Sequence, residues 1–274
     1  MRFRNIKQCA PGSETHVFVP SATPASGPYP GNGRWAIHDI DRDLRVKATR
    51  EMPELDRDLD LGVERLWLQA RARLGERLFN GRVFCAEEIG PDLITGHWTE
   101  YRRLIAQFER PELFERLRLR SLAVNGLVIG PDGVVFGRRP ERAIYQAGLW
   151  QLAPAGSVDP GATAPDGSID VIRQGAAELR EELGISFDAI DDAEPFALVE
   201  HAVSHVCDLG IVMRTSLRAA DILAAHRHDN DGEYGVLRIV AQADIEVFAA
   251  EIGNSMARQS RLFLHRLGWL AADA

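Results

Sequence analysis

Residues 171–185 read VIRQGAAELREELGI, with Asp170 just before them and Gly184 near their end. An aspartate at an N-cap accepts the free backbone N–H groups of a first turn, and a glycine takes the left-handed conformation that stops a helix. A helix over residues 171–184 follows. Glu178, Glu181 and Glu182 then stand three and four residues apart, which puts three carboxylates on one side. Ala177, Leu179 and Leu183 supply an apolar complement for packing. Like charges this close repel, and a hard divalent cation removes the repulsion because it takes oxygen ligands. A solvated acidic face is the other reading of the same residues, and three glutamates alone do not choose between the two.

The surroundings choose. AELREELGI, residues 177–185, resembles the second half of the Nudix box, Arg-Glu-U-x-Glu-Glu-x-Gly-U with U apolar. Glu178, Leu179, Glu181, Glu182, Gly184 and Ile185 match six of its seven specified positions. Upstream, PAGSVDPG at residues 154–161 resembles the loop that opens the box, with Gly156 as its first glycine. The pattern departs from the family in two places. The first glutamate of the box falls at Ala162 and the arginine at Ala177, with 14 residues between them where the family has seven. An insertion of seven residues, TAPDGSI at 163–169 or nearby, accounts for the difference. In the family the missing pair holds the loop against the helix, and losing both members leaves no uncompensated charge.

The resemblance implies an α/β fold, a Nudix α/β/α sandwich built on a mixed sheet, and hydrolysis of a diphosphate bridge with Mg²⁺ or Mn²⁺. Glu178, Glu181 and Glu182 would ligate the metal, and Gly156 and Gly161 would let the loop backbone approach metal and phosphates. Arg138 and Arg139, ending the run GVVFGRR, are candidates for clamping phosphate oxygens or, equally, surface arginines at a strand end. A late-loop glutamate often serves as base or further ligand, and Glu233 in HDNDGEYGVLRIV (residues 228–240) stands there, with Asp229 and Asp231 as rivals; turn formation accounts for all three as well. RLFNGRVFCAEEI and LITGHWTEYRRLIAQ, followed by LAVNGLVIGPDGVVFGRRP, look like the UDP-sugar diphosphatase branch. That branch implies a nucleoside diphosphate-linked substrate such as UDP-glucose, cut to UMP and a sugar 1-phosphate. ADP-ribose, a dinucleotide or a coenzyme A derivative is an alternative substrate. A non-catalytic nucleotide-binding module is an alternative of another class. Family relatives often dimerise, but no stretch here marks a homodimer interface.

Outward from the box, the chain is expected to divide near residue 115 into an N-terminal α+β domain, 1–115, and a Nudix domain, 116–274. SLAVNGLVIG and GVVFGRR flank Pro131, Asp132 and Gly133, a hairpin signal. FALVEHAVSHVCDLGIVMRTSL, residues 196–217, reads as strand, GVLRIVAQADI follows as a further segment, and 257–267 as a final helix. Strand spacing would hold His201 and His205 roughly 13 Å apart, too far for one ion, so both are expected to be structural. Trp150 could stack on a base or pack in the core. In the first part, THVFVP, WAIHDI and LRVKATR read as strands, with an exposed Pro/Gly/Ser-rich loop at 20–34. Leu59, Val63, Leu66, Trp67, Ala70 and Leu74 give a helical stripe over 54–78, ended with help from Gly81. Two strands and a helix capped by Thr99 complete it.

The chain carries 45% hydrophobic and 26% charged residues, an ordinary globular mix. Its net charge of -8, with no Lys/Arg block, argues against nucleic acid as a partner. Cys9, Cys85 and Cys207 are odd in number and in no metal-ligand spacing, which suits buried thiols in a reducing compartment. With no signal-peptide core at the N-terminus and no apolar stretch of membrane-spanning length, the expectation is a cytoplasmic protein without a membrane partner.

Overall fold

The computed structural model describes residues 35–75, 78–141, 143, 146–229 and 234–271. The expected strand THVFVP, the loop at 20–34, Cys9, Asp231 and Glu233 lie outside the described residues.

The chain opens with β1 (Trp35–Asp39), β2 (Arg45–Ala48) and α1 (Arg57–Leu74), then β3 (Arg82–Ile89), β4 (Leu93–Glu100), α2 (Tyr101–Glu109) and a short α3 (Phe114–Leu117). The hairpin β5 (Leu122–Gly130) and β6 (Gly133–Arg138) leads to three short strands, β7 (Trp150–Leu152), β8 (Ala155–Ser157) and β9 (Ser168–Ile169). After α4 (Val171–Leu183) come β10 (Ile190–His201), β11 (Cys207–Thr215), α5 (Ala219–Asp229), β12 (Val236–Val240), α6 (Ile245–Ile252) and α7 (Arg258–Arg266). No described helix is long and apolar enough to cross a membrane.

Two mixed sheets result. The larger runs β1-β10-β11-β5-β6-β12, with β8 pairing β5 and β7 pairing β6, and only β11/β5 is parallel. Strands β5 and β6 pair only near their turn, at Ile129/Val134 and Gly130/Gly133. Beyond it they separate, and β7 and β8 fill the gap. The smaller sheet runs β3-β4-β2-β9, with β2 parallel to β4. The chain crosses the expected boundary near residue 115 in both directions. Strand β1 extends the edge of the larger sheet along β10, and β9, from the insertion in the box, extends the smaller sheet along β2.

Alternation along the strands builds three layers. Val124 and Val128 face Leu179 and Leu183 of α4, whereas Leu127, between them, belongs with Phe248 of α6 and Phe263 of α7 on the opposite face. This is the expected helix–sheet–helix arrangement on a mixed sheet. The first core also takes in Val46, Phe84 and Ile94 of the smaller sheet. A third core gathers Leu59, Val63, Trp67, Ala70 and Leu74 of α1 against Leu104 and Ile105 of α2. Each such large side chain contributes about 1.5–3 kcal/mol by leaving water.

Several local expectations are corrected. Helix α1 stops at Leu74 because Gly75 adopts φ 64°, so Gly81 has no part in ending it. Thr99 is buried inside β4, and α2 starts after Glu100, whose side chain makes no capping bond. The run through His201 and His205 is two strands joined by a turn at 202–206. The His205 N–H donates to the His201 carbonyl at 2.8 Å and His205 takes φ 56°, so the spacing of an extended strand does not apply. Each ring has a protein partner. The His201 ring lies tilted against Trp35 and its Nδ1 is 2.7 Å from the Ser204 hydroxyl, while His205 stacks on Phe114.

Candidate functional site

The site grows from α4 and the strand laid across its face. Asp170 accepts from the Arg173 N–H at 2.9 Å, and Gly184 closes the helix at φ 69°, as its sequence requires. Strand β8 lies in the gap between β5 and β6, with Gly156 opposite Val124. Val124 points to the α4 side, so Gly156 does too, and the helix presents Glu178 to it. A Cβ on Gly156 would overlap the Glu178 carboxylate. One turn on, Glu182 is 5% exposed and its Oε2 accepts the Ala155 N–H at 2.8 Å. Glu181 is half-buried on the same helix. Behind Glu182, His226 of α5 brings Nδ1 to 3.2 Å from its backbone carbonyl.

The loop beyond β8 is tied on both sides. The Val158 carbonyl accepts from the Phe84 N–H at 3.0 Å, joining the loop to β3. Pro160–Ala162 form a single 3₁₀ turn in which the Gly161 N–H donates to Asp159 Oδ1 at 2.6 Å. Residues 163–169 fold back on themselves, Thr163 bridging Ile169, and deliver β9 to the smaller sheet. Ala162 is buried and Ala177 exposed, so neither position holds the loop electrostatically. Gln174 spans the space instead. It is 4% exposed, its Oε1 accepts the Asp159 N–H at 3.1 Å, and its Nε2 donates to Glu178 Oε1 at 2.7 Å.

Glu178, Glu182 and Gly156 are therefore brought together, with Glu181 alongside. Arg138, Arg139 and Trp150 have other partners. The Arg138 guanidinium is exposed and bonds Glu141 at 3.1 Å and the Gly148 carbonyl at 3.2 Å. The positive charge of Arg139 acts on the buried Asp208 and on the half-buried Tyr101. Trp150 packs edge-on against Phe248, which is a core role.

Among the described residues no three His, Cys, Asp or Glu side chains converge on one point. The donors still suit a hard divalent ion. Glu178 and Glu182 are oxygen donors facing a strand that lacks a side chain at Gly156, and Mg²⁺ commonly uses one or two carboxylates, completing its shell with water and phosphate oxygens.

Gln174 was missed in the sequence, although it stands four residues before Glu178 and the same helical spacing would have found it. The tie from Val158 to Phe84 carried no signal, because it joins residues far apart in the chain.

No family model and no curated protein matches the chain. Among solved structures, a protein from Deinococcus radiodurans is similar at 15% identity and a TM-score of 0.44, over 67% of this chain and 98% of its own. The MutT protein from Methanosarcina mazei Go1 is similar at 22% identity and a TM-score of 0.36, over 54% and 92%. A bifunctional NMN adenylyltransferase/ADP ribose pyrophosphatase from Francisella tularensis, complexed with AMP and a Mn ion, is similar at 17% identity and a TM-score of 0.37, over 61% and 48%.

Proposed function

We propose that the chain is a Nudix-type pyrophosphohydrolase, dependent on Mg²⁺ or Mn²⁺, that cuts the diphosphate bridge of a nucleoside diphosphate-linked small molecule. A UDP-sugar such as UDP-glucose is the proposed substrate, with UMP and a sugar 1-phosphate as products. The observation that carries this reading is the pairing of Glu178 and Glu182 with β8, where a glycine and a backbone N–H meet the two carboxylates. It is joined to the likeness of residues 177–185 to the Nudix box. A divalent ion held there would neutralise diphosphate charge, polarise a phosphoryl oxygen and lower the pKa of a bound water.

The chain's own part is positioning. Glu178 and Glu182 would hold the ion, Glu181 adds charge beside them, and Gly156, having no side chain, lets the Glu178 carboxylate lie against the β8 backbone. Gly161 belongs to the same loop. Glu233 is the proposed base or further ligand. Arg138 and Arg139 are the proposed phosphate contacts, Arg138 exchanging its bonds to Glu141 and Gly148 for phosphate oxygens.

Product analysis with Mg²⁺ and either UDP-glucose or ADP-ribose tests the substrate. UMP and glucose 1-phosphate formed faster than any product of ADP-ribose is the expected result. Cleavage of ADP-ribose alone would keep the reaction class and discard the sugar-nucleotide assignment. A second reading is favoured by the lack, among the described residues, of three converging carboxylates: a nucleotide-binding module that does not cut. Tight binding of UDP-glucose with no products at any Mg²⁺ concentration would establish it in place of the first.

A further inference from the structure

In the family this chain resembles, a charged pair secures the box loop to the helix, and here both positions are alanine. Something else must fix the loop, because two carboxylates cannot hold an ion at a constant geometry if the strand facing them drifts. Glu182 holds β8 at Ala155, and Gln174 is the side chain that meets both the loop backbone at Asp159 and Glu178. Its hydrogen-bond polarity has a single solution: a backbone N–H only donates, so the Asp159 N–H requires Oε1, and an ionised carboxylate only accepts, so Glu178 requires Nε2. Both requirements are met at once, at 3.1 Å and 2.7 Å. The amide is also the economical choice for a position only 4% exposed, since an ion pair there would lose its hydration for a return that rarely covers the loss.

We propose that Gln174 is a positioning residue that tethers the loop backbone at Asp159 to the Glu178 carboxylate, and so sets how Glu178 presents that carboxylate to the metal. This rests on the reading of Glu178 as a metal ligand. Neutral groups that orient a ligand by hydrogen bonding change metal affinity by roughly 10–100-fold when removed.

Two substitutions separate the halves of the tether. Gln174→Met keeps the length and removes both bonds. Gln174→Glu keeps an acceptor for the Asp159 N–H and removes the donor to Glu178. Amide hydrogen exchange at Asp159 in metal-free protein reads the loop, and Mn²⁺ titration followed by electron paramagnetic resonance reads the site without turnover. In Gln174→Met, Asp159 is expected to exchange at least about tenfold faster and Mn²⁺ to bind about tenfold more weakly. In Gln174→Glu, Asp159 keeps its protection while Mn²⁺ binding weakens. Melting within a few degrees of wild type separates these effects from misfolding; should Gln174→Glu melt early, Gln174→Met carries the test alone.

Unchanged Asp159 exchange in Gln174→Met overturns the tether whatever the ion does. Wild-type Mn²⁺ affinity in Gln174→Met overturns its role in positioning. If wild type itself takes up no Mn²⁺ while Asp159 still responds to Gln174→Met, the metal reading fails and the tether alone survives.

Discussion

At the scale of the residue, two positions give sharp expectations. Gly156 has no room for a methyl group in front of Glu178. Gly156→Ala is therefore expected to move strand or carboxylate by a fraction of an ångström and to lower turnover by about a hundredfold, with a small change in melting temperature; steady-state kinetics beside a thermal melt checks it. The second position is Asp208. Asn125 Nδ2 donates to Asp208 Oδ1 at 2.8 Å, yet Asn125 Oδ1 and Asp208 Oδ2 are buried without partners. A proton on Asp208 supplies the missing donor, and burial pushes this carboxyl up to about 7, against the hydrogen bond from Asn125 and the charge of Arg139. Between the unfolded value near 3.9 and this folded value the native state binds the extra proton, so its contribution is complete below about pH 4 and is lost as pH rises through about 7. Denaturant titrations at several pH values are expected to show stability falling over that window, and Asp208→Asn to remove the slope.

At the scale of the element, the box helix was legible and its neighbours were less so. Helix α4 announced itself through Asp170, Gly184 and a 3.6-residue period, because all three signals are local. Strand β9 is two residues long, too short for any period, and it exists because β2 offers an edge for it. The turn between β10 and β11 was hidden because residues 202–206 contain no glycine, proline or asparagine, and His205 takes the left-handed conformation unannounced. Ile169, 4% exposed on β9, packs in the same core as α4. Ile169→Ala is expected to cost about 2–4 kcal/mol in chemical denaturation. The turn after β10 also sets up a charge cluster. Burial alone would raise the Glu200 carboxyl, but hydrogen bonds from His205 at 3.5 Å and from Arg120 at 2.5 and 3.0 Å hold it down at about 2. A lowered carboxyl stabilises above its unfolded value near 4.3 and loses that contribution as pH falls toward 2. Arg120→Ala is expected to raise the midpoint of acid unfolding.

At the scale of the whole molecule, the helix–sheet–helix arrangement was readable from the order of strands and helices, whereas the exchange of strands between the two parts was not. Strand β1 precedes the smaller sheet and completes the larger one; β9 follows the larger sheet's first strands and completes the smaller one. Such pairings join residues more than a hundred positions apart, and local pattern does not record them. Their consequence is that the loop in front of α4 is fastened to the N-terminal part at Phe84 and again at β2. Residues 116–274 expressed alone would lack β1 and the Val46, Phe84 and Ile94 side of the main core. That fragment is expected to give no cooperative melt, which circular dichroism against temperature would test.

The carboxylates on α4 are the centre of the account, and Glu182→Gln tests them most directly. Its amide oxygen can still accept the Ala155 N–H, so the fold should be retained while the negative charge is lost. With UDP-glucose and Mg²⁺, wild type is expected to release UMP and glucose 1-phosphate, and Glu182→Gln to do so about a hundredfold more slowly at a similar melting temperature. Equal rates from the two proteins would contradict a metal site at Glu182, and with it the reading of this helix as the place where a diphosphate is cut.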